Sequence, residues 1–123
     1  LVAHVRGWSD LRPEDCGRLF EHLVLDTLLS LSSLPAIHFW RDRSQREIDF
    51  VLSRGRGACD AIECKWSPKA YDPRNLAAFR ALHAKGANYL VAPYVADPYP
   101  LRRGELQVCV LGIPDLRRAL EEA

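Results

Sequence analysis

Two acids and a lysine occur at spacings that would bring them together on a β-sheet. In Glu63-Cys64-Lys65 the outer residues are two positions apart, so on a strand they would share a face and project roughly 6–7 Å apart. Asp49 occurs in an earlier, half-apolar run that a short glycine-containing turn joins to the Glu63 run. Such a turn favours an antiparallel hairpin. The sequence therefore predicts two carboxylates and one ammonium group on one sheet surface.

This combination of groups suits a magnesium site that acts on phosphate esters. Carboxylates gathered in one place repel each other, and a hard cation such as Mg²⁺, or Mn²⁺ as its substitute, relieves the repulsion while binding phosphate oxygens. The ion polarises the phosphoryl group and lowers the pKa of a bound water, which a neighbouring lysine can orient. We therefore predict phosphodiester hydrolysis, with Asp49 and Glu63 as metal ligands and Lys65 as the supporting cation. The alternative is a solvated ion pair, the usual role of an E-x-K sequence on a strand.

The first predicted helix would add a third carboxylate. Pro13 suits the first turn of a helix, and apolar residues recur at helical spacing from Leu19 to Leu31. At about 100° per residue, Glu21 falls at the margin of the apolar face. From there its side chain would reach the rim of the acid cluster as a further metal ligand or a base. The alternative is an ordinary residue of the helix surface.

The remaining elements are predicted from periodicity and turn residues. Strands are expected over 36–41, 46–53, 59–66, 88–92 and 106–111, a second helix after Asp72-Pro73 with Gly86 as its stop, and a last helix from Pro114. Within 46–53, alternation would turn Ile48 and Phe50 to one face and Asp49 to the other. The proline-containing segment 93–104 is expected to be a loop. The order α-β-β-β-α-β-β-α indicates an α/β sandwich with a mixed central sheet flanked by helices.

The bulk composition fits one domain, residues 1–123, with 1–12 as a lead-in segment. An apolar share of 48% is ordinary for a globular chain of 123 residues, and no stretch approaches the roughly 20 apolar residues of a membrane span. The four cysteines form no C-x-x-C pair, which favours free thiols in the reducing cytoplasm. Because the chain begins at Leu1 and contains no methionine, we expect it to be a fragment of a larger protein.

The charge distribution leaves a role in DNA binding open. The net charge of +1 is low for a dedicated DNA-binding protein. Basic residues nevertheless gather around the acid motif, where an ordinary solvated loop explains them equally well. The candidates for contact with DNA phosphates are Arg41, Arg43, Arg46 and Lys69.

Two further features bear on binding. Trp40 and Trp66 flank the motif strands and could stack on a base, but we expect them to be buried core rings. An exposed edge strand at 106–111 would allow two copies of the chain to pair as a homodimer.

Four short blocks of the sequence together resemble a known family. The blocks are Gly17-Arg18-Leu19-Phe20-Glu21, Phe39-Trp40-Arg41, Glu47-Ile48-Asp49-Phe50-Val51 and Ile62-Glu63-Cys64-Lys65. In this order they resemble the PD-(D/E)XK nuclease-like domain found at the C-terminus of many prokaryotic AAA-type ATPases. That domain is usually catalogued as one of unknown function and is similar to archaeal Holliday-junction resolvases. The resemblance covers residues 14–93, about two thirds of the chain.

The resemblance implies a restriction-endonuclease-like three-layer sandwich that acts on DNA, branched DNA included. Glu21 becomes the helix acid and Lys65 the motif lysine. Asp49 and Glu63 become the metal-binding acids, which agrees with the choice made from spacing. The resemblance, which makes this chain the C-terminal part of such a protein, also implies an AAA-type ATPase domain upstream. This chain itself has no G-x-x-x-x-G-K-[ST] loop through which it could hydrolyse ATP.

Two other functions are compatible with the same residues. The first is a nonenzymatic module that docks the ATPase on DNA or on another protein, because a fold does not determine a function. The second is a toxin–antitoxin or regulatory dimer module, for which no residue speaks specifically.

Overall fold

The computed structural model describes residues 13–31 and 36–122, and the predicted lead-in segment 1–12 lies outside this part of the chain. Helix α1 spans Pro13–Ser30, α2 spans Arg74–Leu82 and α3 spans Ile113–Glu122. The strands are β1 Ile37–Arg41, β2 Glu47–Gly55, β3 Ala58–Cys64, β4 Asn88–Val91, β5 Tyr99–Arg103 and β6 Leu106–Leu111. None of the helices in the described ranges has the length and hydropathy needed to cross a bilayer.

The six strands form one mixed sheet in the order β1-β2-β3-β4-β6-β5. Strands β1, β2 and β3 form an antiparallel meander, whereas β3, β4 and β6 run parallel to one another. A parallel pair requires a crossover connection, and α2 lies in the one between β3 and β4. The prediction of an α/β protein with a mixed central sheet is confirmed.

Helices cover both faces of the sheet. On one face, α1 and α3 pack on a core that includes Phe50 and Ile62. On the other face, Leu76 and Phe79 of α2 pack on a second core that includes Val51. Each of these five side chains is at least nine-tenths buried, and burial of one such side chain stabilises the fold by roughly 1.5–3 kcal/mol. The sheet is therefore the rigid middle layer on which the acid motif is placed.

Strand β2 contains a bulge at the predicted metal-binding acid. His38 of β1 pairs with Val51, and Trp40, two residues later, pairs with Ile48, three residues earlier on β2. One extra residue is thus accommodated on β2 between Ile48 and Val51, the segment that contains Asp49. A bulge of this kind re-aims a side chain and interrupts the ladder.

The bulge makes the predicted alternation of β2 wrong. Ile48 packs with Val51 in the core beneath α2, whereas Phe50 and Leu52 pack in the core beneath α1 and α3. Ile48 and Phe50 therefore face opposite sides, although strict alternation placed them together. Asp49 lies within the bulge, where the regular alternation of side chains is interrupted, and its carboxylate accepts a hydrogen bond from β3.

The predicted loop over 93–104 is also wrong in part. Tyr99–Arg103 forms β5, which pairs antiparallel with β6, so the element order is α-β-β-β-α-β-β-β-α. Pro100 lies within this strand, where proline is tolerated because β5 is an edge strand. The segment 106–111, expected to be an exposed edge for pairing, is instead β6 and lies between β4 and β5. The edges of the sheet are β1 and β5.

Gly86 has a different role from the predicted helix stop. Helix α2 already ends at Leu82, and Gly86, at φ 139°, lies against the backbone of β3. A Cβ at this position would be 1.8 Å from the carbonyl oxygen of Cys59. The glycine therefore allows the crossover to approach β3 closely, and the Cys59 N–H donates a hydrogen bond to the Lys85 carbonyl at 2.9 Å.

Candidate functional site

The two predicted metal-binding acids meet where β2 and β3 separate. Phe50 pairs with Ile62, and continuing this register by one residue brings Asp49 opposite Glu63. In place of a further ladder bond, the Cys64 N–H donates to Asp49 Oδ2 at 2.7 Å. The Asp49 carboxylate therefore reaches across the gap between the strands to the segment that carries Glu63.

Glu63 is a buried acid without a hydrogen-bond partner. Its side chain is 4% exposed, and no residue in 13–31 or 36–122 donates a hydrogen bond to its carboxylate. Its pKa is raised to about 8, chiefly by burial and then by the negative charge of Asp49, while the positive charge of Lys65 opposes both. An ionised carboxylate in this position is costly, so Glu63 either keeps its proton or binds a cation.

Asp49 has the same kind of perturbation to a smaller degree. Its pKa is raised to about 6, because burial and the charge of Glu21 raise it by more than the hydrogen bond from the Cys64 N–H lowers it. Both carboxyl groups therefore keep their protons to a higher pH than free acids do, and Glu63 is still largely protonated at neutral pH. Perturbed acids of this kind cluster at catalytic and metal-binding sites.

Lys65 is the cation nearest in sequence to this pair, and its charge lowers the pKa of both Asp49 and Glu63. Its backbone N–H donates to the Val91 carbonyl at 3.0 Å, which fixes the end of β3 against β4. Among the described residues its ammonium group forms no ion pair within 4.0 Å. The group is therefore available to a phosphate.

Glu21 lies farther out. It is exposed on α1 and lines, together with Asp49, Trp40 and Glu47, a cleft of about 350 Å³. Within the described ranges no three His, Cys, Asp or Glu side chains lie close enough together to hold one metal ion. The structure thus brings Asp49 and Glu63 together and leaves Glu21 on the rim.

Cys64 faces away from the acids, as predicted. Its side chain packs on the core beneath α1, and burial, followed by the charges of Asp49 and Glu21, raises the pKa of the thiol far above its ordinary value. A neutral, packed thiol is inert. Cys64 thus contributes its backbone N–H to the site and not its sulfur.

Tyr71 is a neighbour of the site that the sequence did not reveal. Its hydroxyl is buried and, in the described part of the chain, has no hydrogen-bond partner. Burial raises its pKa to about 12, with further contributions from the charges of Glu63 and Asp72. A lone tyrosine between a short turn and a helix carries no distinctive sequence signal.

The predicted phosphate contacts differ in availability. Arg41 donates from Nε at 3.1 Å and from Nη2 at 2.7 Å to Glu47 Oε2, so its charge is already paired. Arg43 and Arg46 are exposed on the β1–β2 turn, where Asp42 Oδ1 accepts the Arg46 N–H at 3.0 Å. The guanidinium groups of these two form no ion pair with any described residue. Arg43 and Arg46 are therefore better placed for a ligand than Arg41, and the side chain of Lys69 is exposed as well.

The expectation that both tryptophans are buried is wrong for Trp66. Its side chain is 43% exposed because β3 ends at Cys64, two residues before it. Trp40 is half-buried and packs edge-on against Phe79, with ring centroids 5.4 Å apart.

Comparison with known proteins places the chain in a family. No curated protein matches it. Among solved structures, it is similar to a chain of the refined half-complex from the tetradecameric assembly of Thermococcus gammatolerans McrB AAA+ hexamers with bound McrC. The TM-score is 0.57 at 14% identity, over 88% of this chain and 33% of that one, so the likeness concerns the fold and about a third of the other chain's length. The family model for the domain of unknown function DUF4143 matches residues 16–114, most of the sequence, and the chain belongs to that family.

Proposed function

We propose that this chain is a restriction-endonuclease-like domain that hydrolyses DNA phosphodiesters with the help of Mg²⁺ or Mn²⁺. The observation that carries the proposal is the pairing of Asp49 and Glu63 where β2 and β3 separate, each with a raised pKa. Lys65 comes directly after the end of β3 and has no ion-pair partner among the described residues. Two acids and a free lysine in this arrangement fit phosphodiester hydrolysis better than a structural ion pair.

The donor set fits a hard divalent cation. Asp49 and Glu63 offer carboxylate oxygens, the ligands that Mg²⁺ prefers, and Mg²⁺ commonly takes only one or two carboxylates and keeps several waters. Glu21 on the rim would then act through one of these waters. When bound, such an ion polarises a phosphoryl oxygen and lowers the pKa of a coordinated water.

The residues of the chain would position and stabilise the reacting groups. The hydrogen bond from the Cys64 N–H holds the Asp49 carboxylate in one orientation. The Lys65 ammonium would stabilise the negative charge that builds up on the phosphoryl oxygens. Glu21 would accept a proton from the attacking water, because its carboxylate lines the same cleft as Asp49.

The surface near the site supports a nucleic acid as substrate. Arg43 and Arg46 lie on the turn beside the cleft, and Lys69 is exposed on the turn that follows β3. Contacts of this kind bind the phosphate backbone without reading sequence. The overall charge of +1 implies that affinity comes from this local patch and not from the protein as a whole.

An attached or associated AAA-type ATPase is part of the proposal. The solved chain that resembles this one belongs to an assembly of McrB AAA+ hexamers with bound McrC. This chain spans only about a third of the length of that solved chain. The fold could thus serve as one domain of a larger machine in which the ATPase delivers DNA to the acids.

Cleavage of DNA tests the proposal. The protein is incubated with supercoiled, branched and single-stranded DNA in Mg²⁺ or Mn²⁺, alongside Glu63→Gln and Lys65→Ala. We expect both variants to lose at least about a hundredfold in rate, while Glu105→Gln, at an exposed carboxylate outside the cluster, keeps it. Cleavage at the same rate in all four proteins would show that the site is assigned wrongly.

One observation favours the nonenzymatic alternative, a DNA-docking or protein-interaction module. No group of three potential ligands converges in the described part of the chain. This alternative predicts DNA binding that survives in EDTA and in Glu63→Gln, with no cleavage under any metal condition.

A further inference from the structure

An aromatic groove lies just beyond the proposed cleavage site. Strands β3 and β4 run parallel, so Lys65-Trp66 and the segment after Val91 leave the sheet side by side, at the carboxyl ends of these strands. Ligands of α/β proteins bind outside the carboxyl ends of parallel strands. A groove of about 540 Å³ lies here, within the size range of ligand sites. Its walls carry three rings, those of Trp66, Tyr94 and Tyr99.

Two of the rings, those of Trp66 and Tyr94, pack against each other, and all three are open to solvent. Trp66 packs edge-on against the buried Phe20, with centroids 6.3 Å apart, and edge-on against Tyr94, with centroids 5.9 Å apart. The exposed fractions are 43% for Trp66, 41% for Tyr99 and 91% for Tyr94. Open faces on rings with fixed positions are suited to stacking on a flat ligand.

Tyr94 is the most unusual of the three. Its φ is 63°, a left-handed conformation that glycine and asparagine adopt readily and a tyrosine does not. Since the side chain is almost fully exposed, burial in the core cannot account for the choice of a large ring at a strained position. Strain of this kind is concentrated at binding and catalytic sites.

The charges around the groove favour a nucleotide. Lys65 precedes Trp66 in the chain, and its charge acts on both Asp49 and Glu63, so a cation lies between the groove and the carboxylates. Lys69 follows Pro68, which lines the groove. Asp97 lines the groove and places a negative charge on that wall. A phosphate is therefore expected at the lysine side and an uncharged base between the rings.

We propose that the groove formed by Trp66, Tyr94 and Tyr99 stacks an unpaired nucleobase of a DNA strand whose backbone passes Lys65 towards Asp49 and Glu63. The inference rests on the proposed function for the identity of the ligand. It adds a substrate class: DNA with a single-stranded or splayed segment beside the cleavage point. A duplex keeps its bases stacked and offers none to the groove.

Binding to a fluorescent oligothymidylate, measured by anisotropy in EDTA, separates stacking from hydrolysis. Wild-type protein is expected to bind the single strand more tightly than a duplex of the same length. Tyr94→Asn removes the ring but suits the left-handed backbone, and it should weaken single-strand binding by about tenfold with little loss of thermal stability. Tyr94→Phe should bind like wild type, as should Leu82→Ala, which alters an exposed apolar residue on α2.

The outcomes distinguish this inference from the proposed function. If the protein cleaves DNA but Tyr94→Asn binds and cleaves like wild type, the groove is wrong and the nuclease stands. If binding depends on Tyr94 but no DNA is ever cleaved, the groove stands and hydrolysis is wrong. Binding of a proline-rich peptide that depends on Tyr94, without binding of single-stranded DNA, would overturn the inference in favour of a protein ligand.

Discussion

Replacing Glu63 by glutamine should stabilise the metal-free protein. The pKa of Glu63 is raised from 4.5 to about 8, so at pH 7 the folded protein holds a proton on Glu63 that the unfolded chain has released, and this proton uptake costs the fold about 3 kcal/mol. The substituted amide is uncharged but still buried without partners, which returns about 1–2 kcal/mol of this gain. We therefore expect the free energy of unfolding of Glu63→Gln to exceed that of the wild type by about 1–2 kcal/mol in EDTA.

A divalent cation should reverse this order. A ligand that binds only the folded state stabilises it by about 4 kcal/mol at a thousandfold excess over its dissociation constant. Wild type should gain this stabilisation in Mn²⁺, and Glu63→Gln, with one ligand fewer, should gain little. The variant is thus the more stable protein in EDTA and the less stable one in Mn²⁺.

Urea unfolding followed by circular dichroism at pH 7, with EDTA or Mn²⁺, measures both effects. Glu105→Gln, which changes an exposed carboxylate, is the matched control and should follow the wild type in both buffers. A Glu63→Gln protein that is less stable than wild type in EDTA would refute the reasoning, because Glu63 would then be a stabilising acid with partners of its own.

Three further predictions concern the same framework. Without metal, the wild type should lose stability as the pH rises from about 4.5 to about 8, because the raised pKa values of Glu63 and Asp49 make the folded state hold protons more tightly than the unfolded chain does. Urea unfolding measures this loss; a free energy of unfolding that increases over the same pH range would mean that the acids are stabilised as anions. Asp49→Ala should leave the Cys64 N–H without an acceptor, which costs about 1–3 kcal/mol of stability and offsets the gain from removing the repulsion between the acids. Asp49→Asn keeps an acceptor for this N–H and should have the higher melting temperature of the two variants. Gly86→Ala should destabilise the fold by more than about 3 kcal/mol, because the added Cβ would collide with the Cys59 carbonyl. Gly104→Ala, also at positive φ but with open space around it, should cost only about 1–2 kcal/mol. Equal melting temperatures for the two variants would show that the close approach of Gly86 to β3 does not limit the residue at this position.

The sequence predicted the elements that depend on local pattern. The strand at β4, the final helix and the α-β-β-β-α order all follow from periodicity and turn residues, and each is present. The two-residue repeat of a strand also placed Glu63 and Lys65 on one face, but β3 ends at Cys64, so this repeat does not extend to Lys65. These features needed no knowledge of which strand lies beside which.

The features that the sequence could not provide depend on neighbours distant along the chain. The bulge at Asp49 arises from the register between β1 and β2, and the hydrogen bond from the Cys64 N–H forms only once β2 and β3 separate. The exposure of Trp66 depends on where the pairing of β3 stops. The prolines around Tyr99 concealed a strand, because a proline at an edge looks locally like a loop.

Direct titration with Mn²⁺ tests the central claim, that Asp49 and Glu63 form a cation site. Isothermal titration calorimetry of the wild type at pH 7.5 should show a saturable site. Since Glu63, with its pKa raised to about 8, must lose its proton on binding, the heat should change with the ionisation enthalpy of the buffer. Glu63→Gln and Asp49→Asn should each lose this site, and Glu105→Gln should keep it. Wild-type protein that binds no Mn²⁺, or binds it equally well after either substitution in the pair, would contradict the account.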